Sequence, residues 1–400
     1  MFNNDLISKL QEECLSGHPI PIDHIEVKRD SLRHIPGFIK EKEYNKVMLI
    51  ADTNTKKAAG QSLIDFLNKA DIDSEIMVLP EDRHGHVIAN EETVMQVFVN
   101  TPASIDCFIA VGAGTIHDIT RFVSGKMKVP FISVPTAASV DGFTSKGAPL
   151  ILKGAKRTIQ ASNPIAVFAD LKVLQEAPRE MTAAGLGDMI GKVTSILDWR
   201  ISYLIGGEPY NELASDITKQ ALMECINHID QIGRNEEYGL DVLMEGLIHS
   251  GLVMLVLDHS RPASGAEHHL SHYWEMDLLQ KDEKQLLHGA KVGVATAIIS
   301  DLYKEYFKIS DLLRLSDHPD WNERWKEHGP AIQQEINSIP SSDRIKGWIQ
   351  KAGGPVVPKE LGLSDELVQE SLNKAYHLRD RCTGLKLINY SRKQDLTYCI

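Results

Sequence analysis

Apolar positions in the first part of the chain come in short blocks. "KVMLIAD" (46–52), "SEIMVLP" (74–80), "DCFIAVG" (106–112), "VPFISVP" (129–135) and "PIAVFAD" (164–170) are apolar runs, β-branched in part, that close on Gly, Pro or Asp. Continuous runs of this length fit strands covered on both faces, as in a parallel sheet. Between them, "TKKAAGQSLIDFLNKA" and "EETVMQVFVN" carry apolar residues at helical spacing. Strand alternating with helix is the signature of a doubly wound α/β unit.

After about Asp170 the strand signals fade. "AGLGDMIGKVTSILDWRISYLI", "ITKQALMECINHIDQI", "DVLMEGLIHSGLVMLVL" and "LLHGAKVGVATAIISDLYKEYF" all repeat apolar residues at helical spacing. The pattern predicts an α/β N-terminal nucleotide-binding domain over residues 1–170 and an all-α C-terminal domain over residues 171–400. The boundary is expected near 165–178. At 400 residues the chain has the length of two domains.

Composition narrows the partners. A net charge of -12 argues against a nucleic-acid or anionic-membrane surface. The most apolar run, residues 252–257, is too short to span a bilayer. Cys14, Cys107, Cys225, Cys382 and Cys399 are scattered, with no C-x-x-C pair, which fits reduced thiols in the cytoplasm.

Three stretches offer a nucleotide site. In "VGAGTIHDITR", Gly112 and Gly114 let the backbone approach a phosphate, and Thr115 opens a helix whose N-terminus attracts an anion. The dinucleotide fingerprint would want glycine at His117, so that motif is not met. "SVPTAASVDGFTSKG" ends a strand with small residues, where ligands of open α/β sheets lie, and Thr136, Ser139, Thr144 and Ser145 can donate to phosphate or ribose. Asp52 follows an early strand. It is either a ribose acceptor favouring NAD over NADP or the cap of a helix starting near Thr55.

A second constellation suggests a metal. His268, His269, His272 and His288, four of the chain's sixteen histidines, fall within "SGAEHHLSHYWEMDLLQKDEKQLLHG". His268 and His272 share a helix face, and His269 points elsewhere. Asp188, in "GLGDMIGK", is expected early in an apolar helix, as a dipole partner or a ligand. A carboxylate with two imidazoles leaves room for substrate, as in a catalytic rather than a structural metal site. Spacing alone also allows His268 and His272 to be a ligand pair.

"VGAGTIHDITR", "PTAASVDGFTS", "GLGDMIGK", "HSRPASGAEHHLSH", "LHGAKVG" and "GGPVVPKELGL" together resemble the sn-glycerol-1-phosphate dehydrogenases, in particular their bacterial branch. These belong to the iron-containing alcohol dehydrogenase and dehydroquinate synthase-like group. The resemblance runs from about residue 23 to residue 380. It implies a dehydroquinate synthase-like fold with its metal site in an interdomain cleft. It implies that Asp188, His268 and His288 hold a divalent metal, and that Asp141, Asp188 and His272 contact substrate. It further implies that NAD(H) is bound by Asp52, by Gly114, Thr115, Ile116, His117 and Asp118, by Thr136, Ala137, Ala138 and Ser139, and by Ser145. Two departures stand out. Ala113 and Thr115 replace a richer glycine turn of archaeal members, and the interval from His268 to His288 is longer.

The implied reaction is reversible hydride transfer between NADH and dihydroxyacetone phosphate, giving sn-glycerol 1-phosphate. The metal, Ni²⁺, Zn²⁺ or Fe²⁺, would act as Lewis acid on the carbonyl, with His272 or Asp141 relaying a proton. Lys192 and Arg261 are candidates for the substrate phosphate. A cytoplasmic homodimer feeding an ether-lipid phospholipid route is the family expectation. Rival readings are a glycerol dehydrogenase acting on unphosphorylated polyol, a dehydroquinate synthase-like lyase, and a non-enzymatic metal-storage module.

Overall fold

The structure is a computed structural model that describes residues 4–15, 20–307, 319–392 and 394–398. Cys399 lies outside the described residues. The chain forms two compact units, one of Met1–Gly185 with Asp230–Asp258, the other of Leu186–Ile229 with His259–Ile400.

The first unit is built on strands β1 (His24–Lys28), β2 (Lys46–Ala51), β3 (Asp73–Val78), β4 (Cys107–Gly112), β5 (Phe131–Pro135), β6 (Gly147–Leu152), β7 (Ala155–Gln160) and β8 (Ala166–Asp170). Six of them form a sheet in the order β1-β8-β5-β4-β2-β3, with every pair parallel. The two faces bury alternate residues. Val47, Leu49, Ile109 and Val111 enter one apolar cluster, and Met48, Ile50, Phe108 and Ala110 the other. This two-sided burial explains the unbroken apolar runs in sequence.

Two features had no such signal. β1, "HIEVK", is an edge strand that mixes polar and apolar residues. β6 and β7 form a separate antiparallel hairpin whose turn, Lys153-Gly154, has φ of 52° and +72°. Positive φ at both positions is what a tight two-residue hairpin turn needs, and Gly supplies one of them freely.

The helices carrying functional side chains are α1 (Gly114–Met127), α2 (Arg179–Ile190), α3 (Lys192–Leu204), α4 (Glu237–Leu257), α5 (Ala266–Gln280) and α6 (His288–Tyr306). α4 packs within the first unit, against β1 and the helix Leu171–Glu176. Its length and composition would allow it to cross a membrane, yet 78% of its most apolar window is buried. It is apolar all round because protein surrounds it. In the second unit all described regular elements are helical. Its core gathers Leu270 and Trp274 of α5, Ile298 and Tyr303 of α6, and Ile201 of α3.

Candidate active site and metal centre

The first unit sets up a ligand edge by its strand order. From β2 the chain moves outward to β3, then returns across β2 to β4 and continues to β5 and β8. The direction reverses between β2 and β4, and ligands of open α/β sheets lie at the carboxyl ends of strands flanking such a switch. Asp52 follows β2, the Gly112–Gly114 turn closes β4, and Thr136 follows β5, so these positions sit on one edge. Asp52 caps the next helix, its Oδ1 accepting from the Asn54 and Thr55 amides at 2.8 and 2.7 Å. Its Oδ2 has no partner among the described residues. The cap and the ribose contact are therefore compatible.

At the glycine turn, α1 begins without any side-chain cap, which leaves its first amides for an anion. Gly112 has a packing reason: a Cβ there would lie 2.6 Å from Ile116. Ile116 and His117 are buried. The His117 ring is committed between the Ala113 carbonyl at 2.9 Å and the Ser133 hydroxyl at 2.8 Å. Burial lowers its pKa to about 3, so the ring is neutral. Asp118 pairs with Arg121 at 2.9 Å. Past β5, Ala137 and Ala138 are buried, and the Ser139 hydroxyl is buried without a partner among the described residues. An unanswered hydroxyl at this edge fits a ligand that supplies the missing hydrogen bond.

Arg121, which carried no signal in the sequence, organises the following loop. Its buried guanidinium donates to the carbonyls of Gly142 and Gly147. Asp141 on this loop accepts from Ser250 of α4 at 2.8 Å. Thr144 is not available as a phosphate donor, because its hydroxyl is buried and donates to the Ile248 carbonyl at 3.0 Å. Ser145 donates to the Gly142 carbonyl at 3.3 Å.

The second unit brings Asp188, His268 and His288 together, with one ligand atom from each lying within 4.8 Å of the others. Asp188 sits in the last turn of α2, not early in a helix as expected. A carboxylate is unfavourable at a helix C-terminus, so the dipole reading falls, and positive charge nearby has to offset it. His268 lies in the first turn of α5, and His288 opens α6. Gly187 permits the convergence: a Cβ there would stand 2.2 Å from the Gly289 carbonyl oxygen.

The His268 tautomer is fixed from behind. Its Nδ1 lies 2.8 Å from Glu267 Oε1, which turns Nε2 toward Asp188 at 3.6 Å. Glu267 is itself held by Thr194 at 2.6 Å and the Gly265 amide at 2.6 Å. A buried carboxylate behind an imidazole orients the ring and raises its basicity, which suits a metal ligand. Sequence reading missed Glu267. Lys192 is fully buried and reaches Asp188 at 3.3 Å and the Ala263 carbonyl at 3.2 Å. Arg261 pairs with Glu208 at 2.6 Å.

Burial alone would raise the Asp188 pKa, but the Lys192 ammonium and both histidines outweigh it and hold the carboxyl ionised. Burial would lower that of His268, yet the Asp188 and Glu267 carboxylates raise it. His272 completes a group of rings, 6.0 Å from His268 and 5.8 Å from His288 between centroids. His272, Glu275 and His288 form a second set with ligand atoms within 4.8 Å. There Lys291, at 3.0 Å from Glu275, already answers the carboxylate. His269 is buried, and neither ring nitrogen is hydrogen-bonded among the described residues.

Residues 26–178 match the family model described as iron-containing alcohol dehydrogenase. The chain is 46% identical over 393 residues to the glycerol-1-phosphate dehydrogenase [NAD(P)+] of Geobacillus thermodenitrificans, covering 96% of this chain and 97% of that one. It is 47% identical over 385 residues to the enzyme of the same name from Bacillus velezensis, covering 96% and 95%. Among solved structures, the NADH-dependent butanol dehydrogenase A of Thermotoga maritima superposes with a TM-score of 0.65 at 18% identity, covering 95% of each chain. That last likeness concerns the fold.

Proposed function

The chain belongs to the family of glycerol-1-phosphate dehydrogenases, and we propose that it reversibly reduces dihydroxyacetone phosphate to sn-glycerol 1-phosphate with NAD(H) and a divalent metal. The observation that supports this most directly is the Asp188, His268 and His288 cluster, a three-donor set of mixed oxygen and nitrogen with a carboxylate orienting one imidazole. These donors fit Ni²⁺, Zn²⁺ or Fe²⁺. Asp52 Oδ2, the uncapped start of α1 and the Ser139 hydroxyl fit the ribose and phosphates of NAD.

When bound, the ion supplies Lewis acidity at the carbonyl and the nicotinamide supplies the hydride. The chain does the rest. Asp188, His268 and His288 hold the ion, and Glu267 holds the His268 tautomer. Asp141 and His272 contact substrate, and His272 delivers the proton the product oxygen needs, a transfer an imidazole can make near neutral pH. Ser250 keeps the Asp141 carboxylate in one orientation. A cytoplasmic homodimer serving ether-lipid phospholipid synthesis belongs to the same reading.

The test follows NADH consumption by chelator-treated protein with dihydroxyacetone phosphate or dihydroxyacetone, adding back Ni²⁺, Zn²⁺ or Fe²⁺ one at a time. Turnover confined to the phosphorylated ketone and restored by metal is expected. Equal turnover of the bare ketone would instead make the protein a polyol dehydrogenase.

A further inference from the structure

Residues 378–383 pack on the loop 260–265 that leads into α5. Arg379 donates to the hydroxyls of Ser260 and Ser264, each at 3.3 Å, and Arg381 donates to the Ser264 carbonyl. Arg261 lies on the same loop. Burial first, then the charges of Arg379 and Arg261, push the Arg381 pKa down to about 10. Burial lowers that of Arg379 as well. Arg381 thus feels the positive charge of both its neighbours.

Glu208 answers Arg261. Neither Arg379 nor Arg381 has a carboxylate within ion-pair distance among the described residues. The acids felt nearby are already engaged: Glu267 by His268, Thr194 and the Gly265 amide, and Asp198 by Tyr303 and the amides of Ala266 and Gly384. Largely buried cations without a counter-charge are costly, and this chain of net charge -12 has acids to spare. Both arginines keep partial exposure, so a small ion can reach them. The two serine hydroxyls accept from Arg379 and still hold a proton to donate. Two surplus charges, two guanidinium forks and two hydroxyls match a phosphate dianion.

We propose that Arg261, Arg379 and Arg381, with Ser260 and Ser264, form a receptor for a phosphomonoester dianion, and that this dianion is the phosphate of the substrate. The second clause rests on the functional reading above. The loop also connects to the Asp188 cluster: Lys192, which pairs with Asp188, holds the Ala263 carbonyl, and Ser264 stands four residues before His268.

Two measurements on the metal-loaded enzyme separate the clauses. In thermal unfolding, inorganic phosphate raises the Tm of the wild type above that in chloride at equal ionic strength. The shift disappears in the double variant Arg379→Gln, Arg381→Gln. A shift that persists in the variant, or is absent from the wild type, overturns the receptor. In kinetics, Arg379→Gln lowers the ratio of kcat/KM for dihydroxyacetone phosphate over dihydroxyacetone by about ten- to a hundredfold, with the KM for NADH unchanged, and Arg379→Lys recovers part of it. An unchanged ratio beside a lost phosphate shift overturns the substrate assignment and leaves a free-phosphate site. If the wild type turns over neither ketone, the functional reading fails, and the phosphate arm still decides the receptor.

Discussion

At the residue scale, the site depends on side chains whose roles are set by what stands behind them. Asp188 and His268 drew attention in the sequence by their types and spacing, and the structure brings them together. Glu267 was not, because a glutamate beside a histidine is ordinary until the fold shows which way it turns. His117 shows the converse: it stands in a nucleotide-like turn, yet its ring serves the core. Its pKa of about 3 has a consequence for stability. In the unfolded chain a histidine titrates near ~6.5, so below that pH the unfolded state takes up a proton the folded state refuses. The contribution is complete above pH ~6.5 and is lost as pH falls toward about 3, at roughly 1.4 kcal/mol per unit. His117→Gln should destabilise at pH 7, and the gap to wild type in urea unfolding should narrow by about 2 kcal/mol at pH 5. A gap independent of pH would mean that the ring is not held neutral.

At the scale of elements, strands β2, β4, β5 and β8 were legible because burial on both faces leaves unbroken apolar runs, and β3, an edge strand of exposed and half-buried residues, was legible from its own short apolar run. β1 and the β6–β7 hairpin were not, since the strand β1 is short and partly polar and the hairpin is partly exposed. Helix pairing was also invisible, although its glycines were in plain view. Gly187 is required by the approach of α2 to α6, where a methyl group would meet the Gly289 carbonyl at 2.2 Å. Gly187→Ala should cost about 1–3 kcal/mol by overpacking. It should also weaken metal binding, because Asp188 and His288 ride on the two helices forced apart. Gly37→Ala, where nothing lies within 4 Å, is the control. Isothermal titration of Ni²⁺ or Zn²⁺ checks this. Equal affinity in Gly187→Ala and wild type would show that the cluster tolerates the shift.

At the scale of the whole molecule, the proposed metal would link binding to folding. An ion that binds only the folded chain adds about 2.7 kcal/mol when present at roughly a hundredfold its Kd. Calorimetry of chelator-treated protein should show Tm rising on addition of Ni²⁺ or Zn²⁺, with His288→Gln failing to respond. A wild type indifferent to every divalent ion would remove the metal from the reading. By itself the sequence determined the fold class and the family, because burial periodicity and local motifs are properties of neighbouring residues. The tertiary structure decided what depends on distant residues meeting. It put Asp188 at a helix C-terminus beside the buried Lys192 ammonium, and Glu267 behind His268. It also drew Arg379 and Arg381 onto a loop more than a hundred residues earlier in the chain. Charge compensation acts through space, and no spacing along the chain encodes it.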